Sequence, residues 1–125
     1  MLRLLLFIGI GGFLGSVARY YLAAAVQARF LVNWPYGTFA VNIVGCFLIG
    51  IIFVVAERTV LSPEWRLFLA TGLCGGLTTF SSFSLEMVNL LRGGQLLYAL
   101  SYAAFSLLLG LAAVWIGLAV GRMVV

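Results

Sequence analysis

Four apolar runs, separated only by short polar breaks, constrain this chain more than any other feature. They cover residues 4–26, 36–56, 65–91 and 95–120. A hydrocarbon core about 30 Å thick is crossed by about 20 residues of helix, so each run is long enough to span it. Lipid offers no hydrogen-bond partners, and a helix satisfies its own backbone within the segment. The expected fold is an all-α membrane protein with four transmembrane helices, forming a single integral membrane domain over residues 1–125. Function must then come from the spans themselves.

Composition removes several other classes. With 65% hydrophobic and 8% charged residues and a mean hydropathy of +1.23, the chain lies far from the balance of a soluble domain. The net charge of +4 comes from seven arginines and three glutamates. A basic excess can mark a nucleic-acid partner, but these arginines are scattered singly and suit loops anchored on anionic headgroups. No nucleic-acid partner is expected. With no His, no Asp and no nucleophile beside a base, an enzyme is not expected either. Cys46 and Cys74 lack CxxC spacing and a His partner, and are expected to be small packing residues.

The first span carries Gly9, Gly11, Gly12, Gly15 and Ser16, which permit close approach by another helix. It is too long for the core of a signal peptide and is interrupted by Arg19, so it is expected to be a mature helix. A guanidinium near the end of an apolar span either snorkels to the headgroups or lines a wet vestibule. The loop over residues 27–35 includes Arg29, Asn33 and Trp34-Pro35, with the tryptophan suited to the membrane interface. In the second span Thr38, Asn42 and either Gly45 or Cys46 recur at helical spacing. Asn42 lies deep, where an amide is either interhelical glue or a donor offered to something passing through. In the fourth span Tyr98, Tyr102, Ser106 and Gly110 fall at i, i+4 spacing, with small residues continuing to Gly121. That stripe is either a helix contact or one wall of a polar track.

The third span departs most from a simple anchor. Ser62-Pro63-Glu64 has the form of a helix start, with Ser as cap, Pro in the first turn and an acidic residue after it. A continuous helix over residues 64–91 would measure about 42 Å at 1.5 Å per residue, well beyond the core. An interruption is expected near residues 72–79, where Gly72, Gly75 and Gly76 precede Thr78 and Thr79. Residues 72–86, GLCGGLTTFSSFSLE, place three glycines, two threonines, three serines and a carboxylate in fifteen positions of a membrane segment. Such backbone survives at membrane depth only when protein buries it or when it lines a cavity.

A broken helix frees carbonyls that suit a hard cation such as sodium, and amides that suit an anion. A small anion entering a bilayer loses hydration worth tens of kcal/mol in the Born picture, so closely spaced donors must replace water. Hydroxyls and amides do this without a permanent charge, and conduction needs sites that hold the ion but release it. Phe80 and Phe83 share a helix face, and ring edges are electropositive, so both are candidate anion ligands.

GGLTTFSSF, preceded by GLC and followed by SLE, resembles the signature of the Fluc fluoride channels, also called the CrcB family. The likeness extends over essentially the whole chain, through the glycine-rich first span with Arg19, the PYGTFAVNIVG stretch with Asn42, and the hydroxyl stripe of span four. It implies an antiparallel, dual-topology homodimer with two narrow fluoride pores and a structural sodium ion on the two-fold axis. It implies fluoride contacts from Asn42, Thr79, Phe80, Ser81, Ser82, Phe83, Ser84, Tyr102 and Ser106, a vestibule residue in Arg19, and sodium ligation by the backbone carbonyls of Gly75 and Thr78. Ser82 stands where the family more usually has threonine, and Gly110 where some members have serine. The implied role is passive fluoride export across a bacterial cytoplasmic (inner) membrane.

A charged Glu86 would repel an anion, whereas a neutral or paired one can organise hydroxyls around the path. Arg3, Arg58, Arg66 and Arg122 fall on one side of four spans and Arg29 and Arg92 on the other, joined by Arg19 if its head reaches water. That weak bias is compatible with insertion both ways. The alternative, a small four-span, dual-topology cation or drug exporter, needs a membrane-embedded carboxylate, usually in the first span, and here that span has none. A purely structural subunit would explain the packing glycines but leave the hydroxyls of GGLTTFSSF unused.

Overall fold

The computed structural model describes residues 1–125 throughout. Helix α1 (Leu2–Gln27) is followed by α2 (Tyr36–Arg58), the short α3 (Pro63–Arg66), a π-helical segment (Leu67–Cys74), α4 (Gly75–Leu77), α5 (Phe80–Arg92) and α6 (Leu96–Val124). Four stretches, Leu2–Gln27, Tyr36–Arg58, Pro63–Arg92 and Leu96–Val124, are long and apolar enough to cross a membrane. The protein is all-helical and multi-pass.

Polar side chains near the helix ends fix the connections. Ser62 Oγ accepts from Trp65 N at 3.4 Å and opens α3. Arg66 then reaches back to the preceding helix: its Nη2 donates to Ala56 O at 2.8 Å and its Nε to Leu61 O at 3.2 Å. The guanidinium thus serves a carbonyl that the end of α2 leaves without a helical partner. At the end of α1, Gln27 Nε2 donates to Trp34 O at 3.0 Å, while Gln27 Oε1 accepts from Gly37 N at 3.0 Å. One side chain thereby folds the loop onto the start of α2.

That loop carries Trp34 inward. Rather than facing headgroups as its position in a polar break predicts, the indole is only 8% exposed and joins Leu90, Ala99 and Tyr102 in a small core. Tyr36, Phe39, Phe83, Met87 and Tyr98 pack around it. The interface preference of tryptophan loses here to a pocket with a partner for its N–H.

Helix α2 lies chiefly along α6, and α1 along the π segment and α4. Both contacts are made by backbone meeting backbone. Gly11 and Gly15 face Gly72 and Gly76, so a methyl added at Gly76 would come within 2.6 Å of Gly12 O. Between α2 and α6, Gly117 sits against the carbonyl of Phe47 and the Cα of Gly50. Close approach of this kind is what small residues permit in membrane bundles. Valine at Gly117 is therefore expected to force α2 and α6 apart at the upper end of the ~1–3 kcal/mol typical of overpacking. Thermal unfolding in detergent should show a large drop in midpoint for Gly117→Val. Gly9→Ala, where a methyl meets nothing within 4 Å, should leave it unchanged.

In the third span the π-helical segment takes in Gly72, but the extended backbone does not fall on the glycines. Gly72, Gly75 and Gly76 are helical, and Gly72 and Gly76 serve the approach of α1. Two extended residues instead separate α4 from α5, Thr78 (φ −96°, ψ 157°) and Thr79 (φ −152°, ψ 121°). A β-branched residue is at home in such angles, and each threonine has a local bond to make. Thr78 Oγ1 donates back to Cys74 O at 2.9 Å, and Thr79 Oγ1 accepts from Ser82 N at 3.1 Å as the N-cap of α5.

Candidate functional site

Asn42 is the residue around which the polar centre is arranged. From α2 its Oδ1 accepts from Thr79 N at 2.8 Å and its Nδ2 donates to Thr79 O at 3.2 Å, so the side-chain amide pairs with both backbone groups of one residue. In a continuous helix Thr79 N would close onto the carbonyl of Gly75, and Ser82 N onto that of Thr78. Here Asn42 Oδ1 takes the first amide and Thr79 Oγ1 the second. The carbonyls of Gly75 and Thr78 are thereby released from those helical partners. The carbonyl of Gly76 receives Arg19 Nε at 2.8 Å, so the guanidinium of α1 is bound to the third span rather than extended to the headgroups.

A second cluster lies beside this one. Glu86 on α5 accepts from Thr38 Oγ1 at 2.9 Å through Oε2 and from Tyr102 Oη at 3.2 Å through Oε1, joining α2, α5 and α6. Tyr102 is 0% exposed. Its ring centroid lies 4.9 Å from that of Phe83, and Phe80 follows at 5.8 Å from Phe83. One turn further along α6, Ser106 Oγ is buried without a partner.

Two cavities flank the cluster. The larger, about 700 Å³, is lined by Asn42, Cys46, Cys74, Thr79, Phe83 and Ser106 among others, and no charged side chain faces it. The other, about 510 Å³, is lined by Ser16, Arg19, Tyr20, Thr38, Thr79 and Ser82. Thr79 lines both. The larger cavity is thus mostly apolar, with the uncharged polar groups of Asn42, Thr78, Thr79 and Ser106 set into its wall, and a single cation borders the other.

Of the residues singled out in the sequence, Asn42, Thr79, Ser82, Phe83, Tyr102, Ser106 and Glu86 come together in this region. Phe80 lines the larger cavity but is 79% exposed in the single chain, and Ser81 is exposed with its Oγ 3.2 Å from Thr79 Oγ1. Ser84 is half-buried and lines neither of these two cavities. Gly75 and Thr78 both line the larger cavity. Thr38, which the i, i+4 spacing places on the same helix face as Asn42, joins the cluster through Glu86, a partner the sequence did not reveal.

These features define a class: a small multi-pass helical membrane protein whose bundle holds a polar seam in an otherwise apolar interior. Over residues 6–118 the chain matches the family described as CrcB-like protein, Camphor Resistance (CrcB). It is 44% identical over 121 residues to the fluoride-specific ion channel FluC of Acidobacterium capsulatum, a match covering 96% of this chain and 97% of the relative. The FluC proteins of Flavobacterium psychrophilum (43% over 122 residues, 97% of this chain and 98% of the relative) and Chlorobaculum tepidum (50% over 118 residues, 94% and 93%) are similarly related. The chain belongs to the CrcB family.

Proposed function

We propose that the protein is a fluoride-selective channel, not an enzyme, giving passive export of fluoride across a bacterial cytoplasmic membrane. The observation that carries this reading is the cavity in whose mostly apolar wall Asn42, Thr79, the ring of Phe83 and the unpartnered hydroxyl of Ser106 are set, with no cation among them. The names of the relatives support fluoride as the ion. An anion there exchanges water for hydroxyl and amide donors and for the electropositive edges of Phe80 and Phe83, without a buried charge that would trap it. Ser81, Ser82, Ser84, Tyr102 and Ser106 extend the donor track, and Arg19 borders the cavity through which anions approach.

The extended pair Thr78–Thr79 acts in this reading as a functional break in the third span. The functional unit is an antiparallel homodimer with dual topology, and its second copy covers surfaces such as Phe80 that the single chain leaves exposed. A structural sodium ion fits the two carbonyls of Gly75 and Thr78, whose helical partners are otherwise engaged. Two copies supply four such oxygens, a donor type that hard cations take. The exporter alternative is weakened by Glu86, whose two oxygens are both occupied by hydroxyl donors.

Liposomes holding the purified protein and loaded with potassium fluoride or potassium chloride, with efflux started by valinomycin, test the reading. Fast fluoride efflux with negligible chloride efflux is expected, and Phe83→Ile should lower the fluoride rate at least about tenfold. In barrier terms tenfold is about 1.4 kcal/mol. Equal rates for the two anions, or none for either from folded protein, would remove fluoride selectivity.

A further inference from the structure

We propose that Trp34 is a positioning residue for the anion path, setting the orientation of Tyr102 and through it the hydroxyl presented to Glu86. The inference rests on the channel reading above. Trp34 belongs to the loop before α2, yet two successive residues of α6 hold its indole. Nε1 donates to Ser101 Oγ at 2.9 Å, and the ring meets Tyr102 at 5.2 Å with an interplanar angle of 68°. Ser101 is itself directed, since its Oγ donates to Tyr98 O at 2.9 Å. Phe39 at 5.2 Å and Tyr36 at 4.7 Å close the other sides, and Gln27 holds the Trp34 carbonyl.

Tyr102 is fully buried, and the aromatic rings at its sides are Trp34 and Phe83. The direction of its hydroxyl is therefore fixed by what its ring leans on. An indole pinned by its N–H is a harder wall than a freely rotating aliphatic chain. Without it, Tyr102 gains room to tilt, Glu86 loses one of its two donors, and the spacing to Phe83 is no longer set. The bland alternative is that Trp34 merely fills space at the end of the bundle, and that predicts a loss of stability without any response to the ion.

Two measurements separate these. In a Trp65→Phe, Trp115→Phe protein, tryptophan emission comes from Trp34 alone; both replaced residues are exposed and neither lines the two cavities. Titration with potassium fluoride should produce a saturable change in that emission, and potassium chloride none. Liposome efflux is then compared for the unsubstituted protein and Trp34→Leu, with the folded state of each followed by gel filtration. Folded Trp34→Leu should pass fluoride at least about tenfold more slowly, with Trp34→Phe between the two.

If Trp34→Leu does not fold, Ser101→Ala takes its place. It removes the acceptor for Nε1 while keeping the indole and Tyr102, and should slow fluoride efflux about threefold. Wild-type efflux from the folded variant, or emission indifferent to fluoride in a protein that conducts it, overturns the inference and leaves the channel standing. Absence of fluoride efflux from the unsubstituted protein instead overturns the channel reading, and this inference with it.

Discussion

Replacing Asn42 by leucine is expected to abolish fluoride efflux and to lower the stability of the fold, the largest combined effect of any single change considered. Leucine matches the size of the amide but leaves Thr79 N–H and Thr79 C=O without the partners they have at 2.8 and 3.2 Å. An unsatisfied buried polar group costs about 1–3 kcal/mol, so the pair amounts to about 2–6 kcal/mol. Partial burial of both groups favours the lower half of that range. Asn42→Asp separates the two bonds, since a carboxylate still accepts from Thr79 N but offers nothing to Thr79 O. Its thermal midpoint should lie between those of the wild type and Asn42→Leu. A fully stable Asn42→Leu protein would show that the amide is not what holds the extended threonines.

The second large effect is expected at Glu86. Both carboxylate oxygens accept from hydroxyls, and a hydroxyl can turn from donor to acceptor by rotating about its bond. Glutamine can therefore keep both contacts, but it forces one of Thr38 and Tyr102 to reverse its role. The fold should survive Glu86→Gln, with thermal unfolding close to wild type, while fluoride efflux falls at least about tenfold. Wild-type efflux from this variant would take Glu86 out of the mechanism and leave it a joint between α2, α5 and α6.

The covalent order of the chain carried some of this and not the rest. Run length and lipid chemistry already dictate helices, and the Ser62-Pro63 start of α3 is legible because a cap is a local event within four residues. Asn42 was conspicuous because an amide in an apolar run needs a partner. Its partner was not readable, because Thr79 lies 37 positions away and is engaged through its backbone, which has no sequence signature. Arg19 presents the same difficulty: a snorkelling and a bonded arginine have identical sequences, and the Gly76 carbonyl 57 positions on separates them. Trp34 misleads for a related reason. Its preference for the membrane interface is a statistical property of the residue, whereas its burial depends on Ser101 and Tyr102 converging from another helix. Glycines, likewise, signal both flexible backbone and close packing, and in the third span Gly72 and Gly76 serve the second while threonines take the extended angles.

The contact of α1 with the third span, where Gly11 and Gly15 meet Gly72 and Gly76, also bears on how the protein responds to bilayers of different thickness. Two helices separated by side chains can slide as rotamers change, but helices touching through main-chain atoms have no compliant layer between them. A thinner or thicker bilayer is then accommodated by tilting the pair as one body, at fractions of a kcal/mol per Å of mismatch, rather than by shear along the contact. The distance from Arg19 to the Gly76 carbonyl is accordingly held by van der Waals contact between main-chain atoms and is expected to stay the same from one lipid composition to another.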